Sequence, residues 1–303
     1  MRIVSLLPSA TEIVAVLGLT DHLVGISHEC DYPEEIRDRP RVTRCEIHGR
    51  DLPSSAIDAW VRDTLASRGT LYTLEEELIR GLRPDLILTQ QLCDVCAVSY
   101  GSVAAYAATL PKRPRLINLE PAQLTDIYAD IRLVAQAADV PERAEAVIAE
   151  LEQRVESVVS LVARAANRPK CFLMEWIDPP FCGGHWNPEL VELAGGVDPI
   201  GRKGQPSRRV SWEEIHRTDP DAVLLACCGF GLERTRREMA LLASKTEWQS
   251  LRAVREGRVY LVDGSTYFSR PGPRIVDSLE MLAHMLHPEV VPATAASVIP
   301  ARV

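Results

Sequence analysis

One pattern in this 303-residue chain is written twice. LYTLEEELIRGLRPDLILT (residues 71–89) and VSWEEIHRTDPDAVLLA (residues 210–226) share a layout: an acidic helix start, a short helix, a Pro-Asp pair and an apolar run. Acidic residues in a first turn meet the positive end of the helix dipole. Proline stops the helix, and the short branched run after it reads as a buried strand. One helix-turn-strand unit in each half predicts two Rossmann-like α/β lobes built alike, with a ligand cleft at their junction.

The stretch between the copies sets the domain organisation. Residues 124–166 carry no strand signal. Ile127, Ile131 and Val134 have helical spacing, and Pro141 opens a second helix with Ala144, Ile148, Leu151 and Val155 on one face. We therefore expect an N-terminal α/β lobe (1–120), a helical linker (121–168) and a C-terminal α/β lobe (169–303), the lobes being joined by a long helix. In the first lobe, residues 3–7 read as a strand, followed by a helix capped by Ser9 or Thr11 and a strand over 23–26. A short strand near 41–43, a helix over 55–67, a helix over 74–82 and strands over 86–89 and 115–119 follow. In the second lobe, strands fall at 171–174, 222–226 and 259–262. Helices fall at 189–194, 212–216 (Ser211 as N-cap, with Glu214 in a capping-box position), 232–244, 248–254 and 275–286. The tail after Pro288 is expected to fray.

Residues 175–196, EWIDPPFCGGHWNPELVELAGG, concentrate the chemistry. The stretch leaves the carboxyl end of a strand, where open α/β folds place ligands. It reads as a loop with two Pro and two Gly, followed by a helix opened by Asn187 and Pro188. It carries Trp176, Phe181, Cys182, His185 and Trp186, two of the five Trp in the chain. With Tyr267 and Phe268, these aromatics supply flat apolar area suited to a planar ligand or a macrocycle. Arg270 and Arg274 could meet a carboxylate, phosphate or amide.

Four groups of Cys and His invite metal or thiol chemistry. Cys93 and Cys96 form a CxxC just after a strand, which could bind metal, exchange disulfides or simply line a pocket. Cys182 and His185 stand three apart and could complete a metal site or meet a cofactor metal; a hydrogen-bonded loop histidine is the plain alternative. The metal candidates are thus Cys93, Cys96, Cys182 and His185. Cys227-Cys228-Gly229 reads as a buried strand end, and Cys45 with His48 is a weaker pair.

Composition closes some classes. With 34 basic against 42 acidic residues the net charge is −8, which gives no support to nucleic acid or anionic membrane as partner. Eight Cys do not make a disulfide scaffold at this length. No run is long and apolar enough to span a membrane. Residues 1–19 lack a charged n-region and a long h-region, so the expected address is cytoplasmic, or periplasmic if a leader has been trimmed. There is no GxSxG, HExxH or phosphate loop, and no catalytic residue is assigned.

SLLPSATEIVAVLGL, the DYP link, LRPDLIL, PPF with ELVELAGG, VSWEEI with DPDAVLL, and RPGPRIVDSLEMLAHML occur in an order that resembles the helix-linked periplasmic substrate-binding proteins, in particular the cobalamin-binding branch serving ABC importers. The likeness covers residues 1–287. It implies a cleft ligand gripped by aromatics, matching Phe181, Tyr267 and Phe268. It also implies an ABC permease as partner, docked through one exposed acid per lobe, at Glu76 or Glu77 and at Glu213 or Glu214. Two departures stand out: residues 50–71 look like an insertion, and the loops are rich in Cys and His. The leading expectation is non-catalytic binding of cobalamin, a related corrinoid or a metal chelate, with delivery to a transporter or cytosolic partner. The alternative is a cytosolic metal-ion or thiol-redox protein using the CxxC and the Cys/His loop, and an enzyme acting on a corrinoid is the weakest reading.

Overall fold

A computed structural model describes residues 1–91, 98–293 and 299–300. Contacts divide the chain into two compact units, Met1–Leu52 with Ala59–Pro121 and Thr125–Ala149, and Pro53–Asp58 with Ala122–Leu124 and Glu150–Val303. The segment drawn above as a linker consists of two helices.

The first unit runs β1 (Ile3–Ser5), α1 (Pro8–Val16), β2 (Leu23–Ile26), β3 (Thr43–Cys45), most of α2 (Ser54–Arg68), β4 (Tyr72–Leu74), α3 (Glu76–Leu82), β5 (Leu86–Thr89), α4 (Tyr100–Thr109), β6 (Arg115–Asn118), most of α5 (Leu124–Ala137), and the start of α6 (Pro141–Val162). Four strands form a parallel sheet in the order β2-β1-β5-β6. Its core joins Val4, Leu6, Ile87 and Val42 to Ile79 of α3 and Val103 and Tyr106 of α4.

The second unit runs β7 (Cys171–Trp176), β8 (Phe181–Cys182), α7 (Asn187–Leu193), β9 (Arg208–Arg209), α8 (Trp212–Thr218), β10 (Ala222–Leu225), α9 (Leu232–Ala243), α10 (Thr246–Gln249), α11 (Arg252–Arg255), β11 (Val259–Leu261), α12 (Ile275–Leu286) and β12 (Ile299–Pro300). The sheet order is β12-β11-β10-β7-β8-β9, with β11, β10 and β7 parallel and the remaining pairings antiparallel. Phe172 and Trp248 are fully buried at its core.

The repeated pattern produces the same clamp in both units. Asp85 donates its backbone N–H to the Arg2 carbonyl (2.8 Å), and its carboxylate accepts the Arg2 N–H (2.8 Å). Asp221 does the same with Lys170, at 2.8 and 2.7 Å. The registers then coincide: Ile3 lies opposite Leu86, and Cys171 opposite Ala222. Just before each Pro-Asp pair, Arg83 (φ 47°) and Asp219 (φ 44°) turn left-handed and close α3 and α8. A residue preceding proline avoids the right-handed helical region, so the helix ends there.

Several local expectations are corrected. Helix α1 starts at Pro8 with Leu7 as N-cap, because proline is preset for a first helical position. Ser9 and Thr11 fall inside the helix, and Thr11 Oγ1 donates to Ser5 Oγ (2.8 Å). Residues 72–74 are a strand paired with β3, and α3 begins only at Glu76. The loop after β7 holds a hairpin, β8 returning antiparallel to β7 and then pairing with β9. Trp186 rather than Asn187 is the N-cap of α7. Residues 248–254 split between α10 and α11, and Ile299–Pro300 of the tail pair with β11. The Ser211 cap holds, its hydroxyl accepting the Glu214 N–H at 3.1 Å.

The clamp carboxylates each accept a charge-assisted bond that alanine cannot replace. Asp85→Ala and Asp221→Ala are expected each to lower unfolding free energy by about 1–3 kcal/mol. Urea titrations check this, and an unchanged midpoint in both variants would remove the clamp from the account of the fold.

Candidate functional site

Parallel α/β sheets present their ligand-competent edge at the carboxyl ends of their strands. In the second unit three loops build that edge: residues 177–186 after β7, 226–231 after β10 and 263–274 after β11. Two backbone approaches hold them, the first loop against residues 206–207 before β9 and the third against the second. A Cβ on Gly184 would meet the Ser207 nitrogen at 2.1 Å, and one on Gly264 would meet the Cys227 carbonyl oxygen at 2.4 Å. Only glycine permits such approach. Trp186 donates its indole N–H to the Phe268 carbonyl (2.9 Å), tying the first loop to the third.

Glu175, at the end of β7, is the polar anchor of this edge. Its carboxyl accepts the Gly184 N–H (3.1 Å) and the Asn187 amide (2.5 Å). Burial nevertheless pushes it up to about 7, against the pull of those bonds. Asp198 caps the Ile200 and Gly201 amides (2.9 and 2.7 Å) and is raised by burial to about 6.

The proposed contact residues divide by exposure. Trp176, Phe181, His185 and Tyr267 are half-buried and keep surface at the rim. The Trp176 ring lies 4.9 Å from that of Phe230, over which the Arg234 guanidinium sits at 4.0 Å. The Trp176 indole N–H is buried with no hydrogen-bond partner among the described residues. The Arg209 guanidinium stands 6.0 Å from the Phe181 ring centroid, and that of Arg274 stands 5.7 Å from the Tyr267 ring. By contrast Phe268 is fully buried, and Trp186, Cys182 and Arg270 expose 6%, 2% and 5% of their surface. These four build the wall behind the rim. Phe230, in the CCGFG turn that follows the Cys227-Cys228-Gly229 strand end, is itself buried, with 3% of its surface exposed.

The thiol and imidazole candidates separate likewise. Burial pushes the Cys182 and Cys227 thiols up, so both stay protonated. Burial lowers His185, whose ring stacks on Trp186 at 5.5 Å and whose backbone N–H donates to the Gln205 carbonyl (2.6 Å). Cys93 and Cys96 lie outside the described residues. Among the described residues one group of three His, Cys, Asp or Glu side chains comes close enough to hold a metal ion, and it is His28, Glu29 and His48. It adjoins a recess at the carboxyl edge of the first unit's sheet, lined by Leu6, Ser27, His28, Glu29, Thr43, Tyr72 and Val98. The Cys45–His48 spacing was the one sequence signal near it.

The docking candidates lie on their own helices. Glu76 and Glu77 are exposed in the first turn of α3, Glu77 facing Arg80 at 3.6 Å. Glu213 is exposed on α8, 3.6 Å from Arg217, while Glu214 is held by Arg208 and lowered by that hydrogen bond.

The periplasmic binding protein family pattern matches residues 3–266. The vitamin B12-binding protein of Vibrio cholerae is 25% identical over 290 residues, covering 94% of this chain and 88% of that protein. The ABC transporter substrate-binding lipoprotein YvrC of Bacillus subtilis is 22% identical over 301 residues, covering 95% and 80%. Among solved structures, the apo periplasmic heme-binding protein RhuT from Roseiflexus sp. RS-1 superposes with a TM-score of 0.72 at 23% identity, covering 95% of this chain and 98% of that one. The periplasmic vitamin B12-binding protein BtuF of Vibrio cholerae gives 0.68 at 23% identity, covering 95% and 96%. At these identities the structural likeness establishes the fold.

Glu175 makes stability depend on pH. Its folded value, about 7, lies above the 4.5 of a free glutamate, so the native state holds a proton that the unfolded chain releases. That contribution is present below about pH 4.5 and is lost as pH rises through 7. Glu175→Gln keeps an acceptor without the titration. Its unfolding free energy relative to wild type should improve by about 2 kcal/mol between about pH 5 and pH 7.5. Urea melts at the two pH values measure this, and a pH-independent difference would refute it.

Proposed function

The chain belongs to the periplasmic binding protein family, and from that membership we propose that it binds cobalamin or a related tetrapyrrole and presents it to an importer. Family members are non-catalytic substrate-binding proteins that take up a small molecule and work with an ABC transporter. Among the described residues no helix is long and apolar enough to cross a membrane. We place the working address outside the cytoplasmic membrane, as for the family, rather than in the cytoplasm expected from the N-terminal residues.

The ligand class rests on one observation above the rest. The second unit's carboxyl edge keeps the flat side chains Trp176, Phe181 and Tyr267 half-exposed on a backbone-locked frame. Large planar apolar surface held in place favours a rigid ring system, since little side-chain entropy remains to be lost on binding. The named relatives support the same class: one binds vitamin B12, and a solved structure in the comparison, BhuT, holds two hemes. For docking, Glu77 and Glu213 are the better pair, being 89% and 87% exposed, whereas Glu214 is engaged by Arg208.

Isothermal titration of the protein with cyanocobalamin and with hemin, each read also by absorption spectrum, tests the reading. One of the two is expected to bind, and Trp176→Ala is expected to weaken that binding by about tenfold or more. Binding of neither at high micromolar ligand would refute the tetrapyrrole class. Glu77→Lys with Glu213→Lys should leave ligand affinity unchanged while abolishing stimulation of a cognate transporter.

A further inference from the structure

We infer that His28, Glu29 and His48 form a mononuclear site for a borderline divalent transition-metal ion, of which Zn²⁺ is the reference. The site lies wholly within the first unit and stands independently of the ligand class proposed above.

The three donors reach one point from two segments. His28 and Glu29 follow β2, and His48 lies in the turn after β3. Their ligand atoms all fall within 4.8 Å of one another. Glu29 Oε1 is 2.9 Å from His48 Nδ1 and 3.3 Å from His28 Nε2. Donors bound at about 2.0–2.1 Å to Zn²⁺ stand about 3.3 Å apart at tetrahedral angles, so both separations are close to polyhedron edges. The imidazole rings meet edge to face, centroids 4.8 Å apart and planes at 88°.

His28 is already oriented for this role. Its side chain is 9% exposed. Thr43 Oγ1 accepts the His28 backbone N–H (3.0 Å) and lies 2.7 Å from Nδ1. With Nδ1–H donated to Thr43, the lone pair sits on Nε2, the outer-shell arrangement that metal-binding histidines use. That Nε2 is buried without a hydrogen bond. Its 3.3 Å approach to Glu29 satisfies an ion-pair distance but not hydrogen-bond alignment, so the geometry marks a shared centre better than a direct bond. Arg41 steadies the loop by donating to the carbonyls of Ser27 (3.1 Å) and Cys30.

Charge and donor type select the ion. Glu29 supplies the carboxylate, its Oε1 facing both imidazoles. Two imidazoles and one carboxylate suit zinc, cobalt, nickel or iron; calcium and magnesium require oxygen-rich shells. The donors border the recess lined by Leu6, Ser27, Thr43, Tyr72 and Val98.

Calorimetric titration of chelator-treated full-length protein with Zn²⁺ tests the site. One equivalent is expected to bind, weakened about tenfold or more by His48→Ala and by Glu29→Gln. His48 is half-exposed, and circular dichroism verifies that the variants fold. Co²⁺ loading should give ligand-field bands without a thiolate charge-transfer band. No Zn²⁺ uptake by the wild type, uptake unchanged in both variants, or a thiolate band would each overturn the proposal.

Discussion

Everything placed at the carboxyl edges depends on a carboxylate at the opposite ends of the strands. Asp85 and Asp221 grip the backbone just before β1 and β7 on both its N–H and its C=O, fixing the register of the two central strands in each sheet. A strand shifted by one residue would turn its buried side chains outward. A charge-assisted bond at the strand entrance therefore decides which residues leave at the exit, where Leu6 and Trp176 begin the functional edges. In both units a left-handed residue and a proline deliver the aspartate.

The second unit's edge is rigid for a related reason. Its loops touch through main chain, with Gly184 seated on residues 206–207 and Gly264 on the end of β10. Such contacts leave no soft side chain to yield, so the aromatic rings start from fixed positions. That suits a protein whose task is to hold a ligand without altering it, since affinity then reflects preorganisation more than rearrangement.

Periodicity and punctuation made most of the fold legible. Strands 23–26 and 86–89 and helix 275–286 coincide with the structure residue for residue, each bounded by turn residues or charge. Failures occurred where pairing decided the outcome. Phe181–Cys182 is two residues long and has no alternation to detect; it is a strand because Met174 and Trp176 lie opposite it. The site was legible as a region rather than as a residue set. The aromatic loop was visible, but which rings keep surface depends on burial: Trp176 does, while Phe268 is enclosed. The His28–Glu29–His48 group was invisible because proximity across twenty residues is set by the Ile26–Arg41 bridge and the bonds from His28 to Thr43, not by spacing.

The two edges share a scaffold and differ in electrostatics, and the difference follows from solvent and partners. In the second unit burial dominates: Glu175 is raised to about 7, the Cys182 thiol is raised, and His185 is lowered. The rim carries aromatic surface, with guanidinium groups over the Phe181 and Tyr267 rings. In the first unit, Glu29 is also largely enclosed, yet two imidazoles hold it ionised near 2. The same desolvation therefore yields opposite outcomes according to whether titratable imidazoles stand beside the carboxylate, as His28 and His48 do beside Glu29. An aromatic edge offers flat apolar surface, while a carboxylate between imidazole nitrogens offers donors to a cation. Repeating a backbone clamp thus does not repeat a ligand: the clamp sets position, and the few side chains beyond it set the chemistry.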